Sequence, residues 1–123
     1  MESYQRMVVE HPAFVHARVE GTRSPENARR FLREAYESCL RSGKTALLLE
    51  MRFSGPSLDP ASIFKVISAG TPDGLKLHRI AYVDSGAPAP GRAAFAETVA
   101  ANRGVNVRLF ADVDAASRWL AES

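Results

Sequence analysis

The chain has 123 residues, of which 46% are hydrophobic and 24% are charged, as in an ordinary globular protein. The net charge is only +2, and because acidic residues are interleaved with the basic ones, no basic stripe for nucleic acid is predicted. A single cysteine excludes an intrachain disulfide, and three scattered histidines do not give zinc-ligand spacing, so neither a metal nor another cofactor is predicted.

The length fits one domain, and we predict a single domain over residues 1–123. No segment approaches the roughly 20 consecutive apolar residues of a membrane-spanning helix. The N-terminus also lacks the charged and apolar regions of a secretory signal. These features predict a cytoplasmic protein without a membrane span.

Two short β-rich runs, YQRMVVE at 4–10 and AFVHARVE at 13–20, open the chain. His11 and Pro12 separate them, which predicts a turn between antiparallel strands. The first strand would lie at an edge of the sheet, and an unpaired edge invites pairing with a second copy of the chain. A homodimer is therefore a possible assembly, although alternating charges at Arg6 and Glu10 can discourage such pairing.

A complete helix-start signal follows in SPENARRFLREAYESCLRSG, where Ser24 is a typical N-cap and Pro25 suits the first helical position. Gly43 suits the end of this helix. Residues at helical spacing predict one buried stripe, consisting of Ala28, Phe31, Leu32, Ala35, Tyr36, Cys39 and Leu40. The next run, TALLLEM at 45–51, shows no alternation, which is typical of a central parallel strand covered on both faces.

The second half of the chain alternates helices and strands. We predict a short helix in ASIFKVISAG that stops near Gly70, a strand over LKLHRIAYVDS at 75–85, and a helix at 92–104 with Phe95 and Val99 directed inward. A strand in VNVRLF and a closing helix follow; the buried face of that helix would consist of Val113, Ala116, Trp119 and Leu120. The order β-β-α-β-α-β-α-β-α predicts an α/β fold, with four helices and a mainly parallel five-stranded sheet that has an antiparallel N-terminal edge strand.

This element order, the loop after the central strand and the ending VRLFADVDAASRWLAE resemble the STAS superfamily, and within it the SpoIIAA-like proteins. The resemblance implies a non-enzymatic regulatory domain that binds a protein partner, as anti-sigma factor antagonists do. CRAL-TRIO domains share the fold of the SpoIIAA-like branch. That shared fold implies an alternative function for this chain, namely a carrier or sensor that binds a lipid or other small apolar ligand between the sheet and its helices.

In the anti-sigma factor antagonists that the chain resembles, the loop that corresponds to residues 54–62, SGPSLDPAS, contains an Asp-Ser-Ser-Gly motif, and the second serine of that motif is phosphorylated. The four positions of that motif fall on Asp59, Pro60, Ala61 and Ser62, so an alanine stands at the phosphoacceptor position. Asp59 followed by Pro60 is by itself a common helix start, which favours a structural cap over a phosphorylation switch. Ser57 and Ser62 remain as out-of-register acceptors, and anion or partner binding at the helix start remains an alternative.

Parallel sheets usually bind ligands beyond the carboxyl ends of their strands. Polar residues gather there in this sequence, and the candidates for partner or ligand binding are Arg52, Ser54, Ser57, Asp59, Ser62, Asp84 and Ser85. No catalytic residue is predicted, because no Ser-His-Asp order or glycine-rich phosphate loop occurs. Cys39 lies on the apolar stripe of the first helix, which favours a core position over a nucleophile.

Overall fold

A five-stranded sheet forms the centre of the molecule in a computed structural model that describes residues 4–122. Its strands are β1 (Tyr4–Glu10), β2 (Val15–Thr22), β3 (Ala46–Ser54), β4 (Arg79–Asp84) and β5 (Val107–Phe110). They lie in the order β1-β2-β3-β4-β5, with β1 antiparallel to β2 and all other neighbours parallel. The predicted element order, sheet type and antiparallel edge strand are confirmed.

Four helices cover the sheet unequally. They are α1 (Pro25–Arg41), α2 (Pro60–Gly74), α3 (Arg92–Asn102) and α4 (Val113–Ala121). Residues of α1, α2 and α3 share one apolar cluster with Leu47 and Leu49, while α4 packs with Leu48 in a second cluster. Because side chains alternate along a strand, β3 is buried on both faces, as its unbroken apolar sequence predicts.

The first helix begins and ends as its sequence indicates. The Oγ of Ser24 accepts a hydrogen bond from the backbone N–H of Asn27 at 3.1 Å, and Pro25 is the first helical residue. Gly43 has a φ of +82°, the left-handed conformation that glycine adopts at little cost. The predicted stripe is buried except for the partly exposed Leu40, and it packs against β2 and β3.

The second helix is longer than predicted, because it passes Gly70 and ends at Gly74. Gly70 lies under Tyr36, where an added Cβ would come within 3.2 Å of the ring carbon Cε2. Gly74 lies similarly against Val105. Gly70 therefore permits close packing against α1 instead of ending the helix, and the helix also accommodates Pro72 near its C-terminus.

Three further predictions are corrected by the packing around the later elements. The strand predicted from Leu75 begins only at Arg79, because the longer α2 and its C-cap take up the start of that segment. Phe95 is partly exposed, whereas Val99 is buried as predicted. Three alanines of α3, Ala93, Ala96 and Ala100, line the interior instead. In α4, Ala116 and Leu120 are buried, while Trp119 is only partly buried against Phe110.

Candidate functional site

Arg23, directly after β2, connects the carboxyl ends of three neighbouring strands. Its backbone N–H donates to the carbonyl of Ser54, the last residue of β3, at 2.8 Å. Its Nη2 donates to the carbonyls of Phe53 and Gly86, both at 2.9 Å, and its Nη1 donates to the carbonyl of Gly55. We call this set of bonds the Arg23 clamp, and it fixes the chain where β3 and β4 end.

Two further bonds attach the 54–62 loop to the segment before α3 and to the first residue of that helix. The Oγ of Ser57 accepts from the backbone N–H of Ala89 at 2.6 Å. The Nε of Arg92 donates to the carbonyl of Leu58 at 3.0 Å. Together with the Arg23 clamp, these bonds hold the loop at its start and in its middle.

A cavity of about 100 Å³ lies beneath this edge, between the sheet and helices α1, α2 and α3. We call it the strand-end pocket. Its wall is mainly apolar and includes Ala28, Leu32, Tyr36, Leu49, Met51, Phe53, Leu58, Ile63, Val66, Ile67, Pro88, Ala93, Ala96, Ala100, Val105 and Val107. The polar groups that complete it are Arg23, Ser57, Tyr82, Asp84, Arg92 and Glu97. An apolar wall with a few polar groups is typical of a small-molecule site.

Tyr82 and Asp84 form the best-defined polar contact of the strand-end pocket. The phenol of Tyr82 donates to Oδ2 of Asp84 at 2.8 Å, and Oδ1 accepts from the N–H of Gly86 at 3.1 Å. Burial raises the pKa of the Tyr82 phenol, the negative charge of Asp84 raises it further, and Arg23 opposes this shift. The phenol is therefore a neutral donor at physiological pH, with no tendency to act as a base.

The predicted site residues do not form one cluster. Ser57 and Asp84 line the strand-end pocket. The remaining five lie elsewhere. Arg52 of β3 forms an ion pair with Glu20 on the neighbouring strand β2 at 3.4 Å, and Oγ of Ser54 donates to the carbonyl of Gly21. Asp59 and Ser62 lie at the start of α2, and Ser85 is exposed. Alternation along β3 places Arg52 on the sheet face opposite the pocket, since Met51 and Phe53 line the pocket.

Two solved structures resemble this chain over nearly its whole length. An anti-sigma factor antagonist from Mycobacterium paratuberculosis superimposes with a TM-score of 0.62 at 17% identity, over 98% of this chain and 96% of that one. A DUF3478-family protein with a SpoIIAA-like fold, from Shewanella loihica PV-4, has a TM-score of 0.56 at 17% identity and the same coverage of both chains. The chain has the SpoIIAA-like fold. No protein-family model and no curated protein matches it.

Within this SpoIIAA-like fold, the start of α2 is a capped helix terminus. Asp59 is the N-cap, and its Oδ1 accepts from the N–H of Ser62 at 2.8 Å. That bond is the main cause that lowers the pKa of Asp59 below its usual range. Ala61 is exposed on the first turn and carries no hydroxyl. The helix start that the sequence predicts at Asp59 and Pro60 is confirmed.

Acidification is expected to remove the contribution of Asp59 to stability. Because the pKa is lower in the folded state than in the unfolded chain, this contribution is complete above the unfolded value of about 3.9 and disappears as the pH falls through the folded value. Urea unfolding of the wild type and of Asp59→Asn at a series of pH values from neutral to acidic tests this. Asparagine also caps helices but does not titrate, so the stability difference between the two proteins should change below pH 4. A constant difference would contradict the assignment.

Several residues of the site were missed from the sequence. The sequence patterns did not single out Arg23 as a site residue, and they predicted Tyr82 only as part of the strand at 75–85. The strand-end rule that selected Asp84 after β4 would also have selected Arg23 after β2, had it been applied there. Arg92 and Glu97 lie on α3, and no local pattern indicates that they line a pocket.

Three other features were considered in the sequence, namely metal ligands, membrane-spanning helices and the histidines. Across residues 4–122, no group of three or more His, Cys, Asp and Glu side chains could hold a metal ion. In the same part of the chain, none of the helices has the length and apolar character that crossing a membrane requires. His16 lies beside Glu50, with Nε2 and Oε1 2.8 Å apart, a pair that joins neighbouring strands and that sequence spacing did not indicate.

Proposed function

We propose that this chain is a non-enzymatic regulatory domain that binds a protein partner through the 54–62 loop and the first two turns of α2. The observation that carries the proposal is Phe64, whose side chain is 47% exposed on α2 close to that loop. The guanidinium of Arg103 lies over its ring, 4.8 Å from the centroid. Phenylalanine and arginine are both enriched at the cores of protein interfaces relative to the rest of the surface.

The fixed conformation of the loop supports the same proposal. Binding is weakened when a loop must become ordered, and here the loop is already held by Arg23, Ser57 and Arg92. One protein with this fold is an anti-sigma factor antagonist, and an antagonist of that kind acts on a protein. By analogy, this chain would act by contact with a protein and without catalysis.

Regulation of this domain would differ from the phosphoserine switch that the sequence resemblance suggests. Ala61 occupies the phosphoacceptor position and cannot be phosphorylated. The carboxylate of Asp59 already accepts a hydrogen bond from the helix N-terminus, where a phosphate would otherwise bind. The surface would therefore be competent to bind its partner without modification at that position.

Position 64 allows a direct test of the partner surface. A photo-crosslinking amino acid in place of Phe64 is expected to capture a specific protein in the native host. The matched control is Leu75, which is equally exposed but lies at the other end of α2. Phe64→Glu should abolish capture of the same protein by an affinity-tagged chain, and it should leave thermal stability nearly unchanged because the ring is exposed. Equal capture from positions 64 and 75 would contradict the proposal.

The strand-end pocket favours a second function, the binding of a small apolar molecule. Its volume of about 100 Å³ is below the roughly 300 Å³ at which drug-sized ligand pockets begin, so it would accept one small apolar group rather than a lipid chain. Native mass spectrometry of protein purified from its host tests this. A stoichiometric small molecule that is lost on denaturation would favour this function, and a mass equal to that of the bare chain would argue against it.

A further inference from the structure

The edge strand β1 is exposed along its length. It is the first strand of the sheet and pairs with β2 along one edge only. Gln5 to Glu10 are all exposed, including three neighbouring large apolar side chains, Met7, Val8 and Val9. Pairing with β2 runs without a bulge from Tyr4 to Glu10, and no proline interrupts the strand. Bulges and prolines are two of the means by which proteins protect an edge from another strand.

The sequence of this strand is complementary to itself. We infer that β1 pairs antiparallel with β1 of a second copy about a two-fold axis at Val8, which joins two sheets into one of ten strands. In this register Val8 lies opposite the partner's Val8, and Met7 lies opposite the partner's Val9. Arg6 then lies opposite the partner's Glu10, and symmetry repeats each contact. The three apolar side chains are thus paired together, with one pair of opposite charges at each end.

Existing contacts hold the two charged side chains on the correct face. Arg6 and Glu10 both lie on the side of the sheet that α1 covers, where Nε of Arg6 is 2.7 Å from Oε2 of Glu34. Nζ of Lys44 is 3.5 Å from Oε1 of Glu10. The side chains of Arg6 and Glu10 are still 44% and 58% exposed, so each retains atoms for a further partner. The dimer would form a row of alternating charge from Glu34 through Arg6 to the partner's Glu10 and the partner's Lys44.

Neighbouring registers lack this complementarity. An axis at Met7 sets Arg6 against the partner's Val8, and an axis at Val9 sets Val8 against the partner's Glu10. Each of these shifts places a charged side chain opposite an apolar one. The sequence Arg-Met-Val-Val-Glu therefore selects the axis at Val8 among these three registers. The charges that the sequence suggested would discourage edge pairing instead specify a register for it.

The proposed dimer has a definite geometry and a limited size. Because paired residues share a face, helices α1 to α3 of both copies would lie on the same side of the joined sheet. A strand-edge contact of about five residue pairs is small beside standard protein interfaces, so the equilibrium should depend on concentration. The partner surface on α2 stays uncovered, because β1 packs against β2 and α1 whereas α2 packs against α1 and α3.

Disulfide trapping tests the register. Val8→Cys should form a covalent dimer under mild oxidation, much faster than Glu20→Cys, a control on the exposed face of β2. Separate Met7→Cys and Val9→Cys proteins should crosslink more readily when mixed than when alone. Cys39 will not interfere, because it is fully buried and burial raises the pKa of its thiol to about 11. Equal crosslinking at positions 8 and 20 would overturn the proposal.

Charge exchange tests the same contact by sedimentation equilibrium. Arg6→Glu places two acidic groups opposite each other twice per dimer and should weaken dimerisation roughly tenfold or more. Adding Glu10→Arg restores opposite charges between copies, although the double variant has lost the intrachain contacts of Arg6 with Glu34 and of Glu10 with Lys44. Recovery of the dimer in the double variant therefore identifies the contact between copies. A wild type that stays monomeric up to millimolar concentration, or a double variant that stays as weak as Arg6→Glu, would overturn the proposal.

Discussion

Replacing Arg23 with alanine is expected to lower the free energy of unfolding by about 3 kcal/mol. The guanidinium donates to the carbonyls of Phe53, Gly55 and Gly86, and the first of these belongs to a buried residue of β3. Without the side chain, these carbonyls lose a charged donor, and at least part of their desolvation is then uncompensated. Urea unfolding followed by circular dichroism measures the change.

Two further arginine variants make the Arg23 test specific. Arg29→Ala removes an exposed arginine from α1 and should change stability by less than about 0.5 kcal/mol. Arg23→Lys keeps the charge but cannot present the planar fork that reaches the carbonyls of Phe53 in β3 and of Gly86 after β4, so it should recover only part of the loss. An alanine variant as stable as the wild type would show that the Arg23 clamp contributes little.

Loss of the Arg23 clamp should weaken partner binding as well as stability. Phe53 directly precedes the 54–62 loop and Gly55 lies within it, so their fixation sets where that loop and the start of α2 stand relative to the sheet. Loss of the clamp should therefore weaken partner capture from position 64 even under conditions in which the chain remains folded. This effect arises from loss of the pre-formed surface, because no contact with the partner is removed.

The fold was predictable because its signals are local. The β-rich run that forms β2, the unbroken apolar sequence of β3 and the cap at Ser24 each depend on neighbouring residues, and the structure confirms all three. The site was not predictable to the same degree, because its contacts join residues far apart in sequence. Arg23 bonds to carbonyls 30 to 63 positions away, and single-sequence patterns carry no information on such contacts.

The mistaken helix boundary has a related cause. Gly70 and the sequence TPDG form a strong local stop signal, but Gly70 lies under Tyr36 of α1, more than 30 positions earlier in the chain. A glycine that allows close packing and a glycine that ends a helix look the same in a sequence. Only the neighbouring helix distinguishes them, and that helix is placed by the fold as a whole.

Gly86→Ala is expected to destabilise the chain by about 3 kcal/mol, at the upper end of the usual cost of overpacking. A Cβ at this position would lie 2.1 Å from the carbonyl oxygen of Phe53 and 2.8 Å from Nη2 of Arg23. The first of these atoms belongs to the backbone of β3, so the loop after β4 must move away to relieve the contact. Ser85→Ala, at the exposed neighbouring position, should be nearly neutral and serves as the matched control.

The same displacement should break the Arg23 clamp, because Gly86 also supplies one of the carbonyls that Arg23 binds. Once Gly86→Ala has displaced that loop, fewer hydrogen bonds of Arg23 remain for the Arg23→Ala substitution to remove. The variant that combines Arg23→Ala with Gly86→Ala should therefore lose clearly less stability than the sum of the two single losses. Urea unfolding of all four proteins gives this coupling energy directly. Strict additivity would mean that Arg23 and Gly86 act independently, which the shared contact with Phe53 argues against.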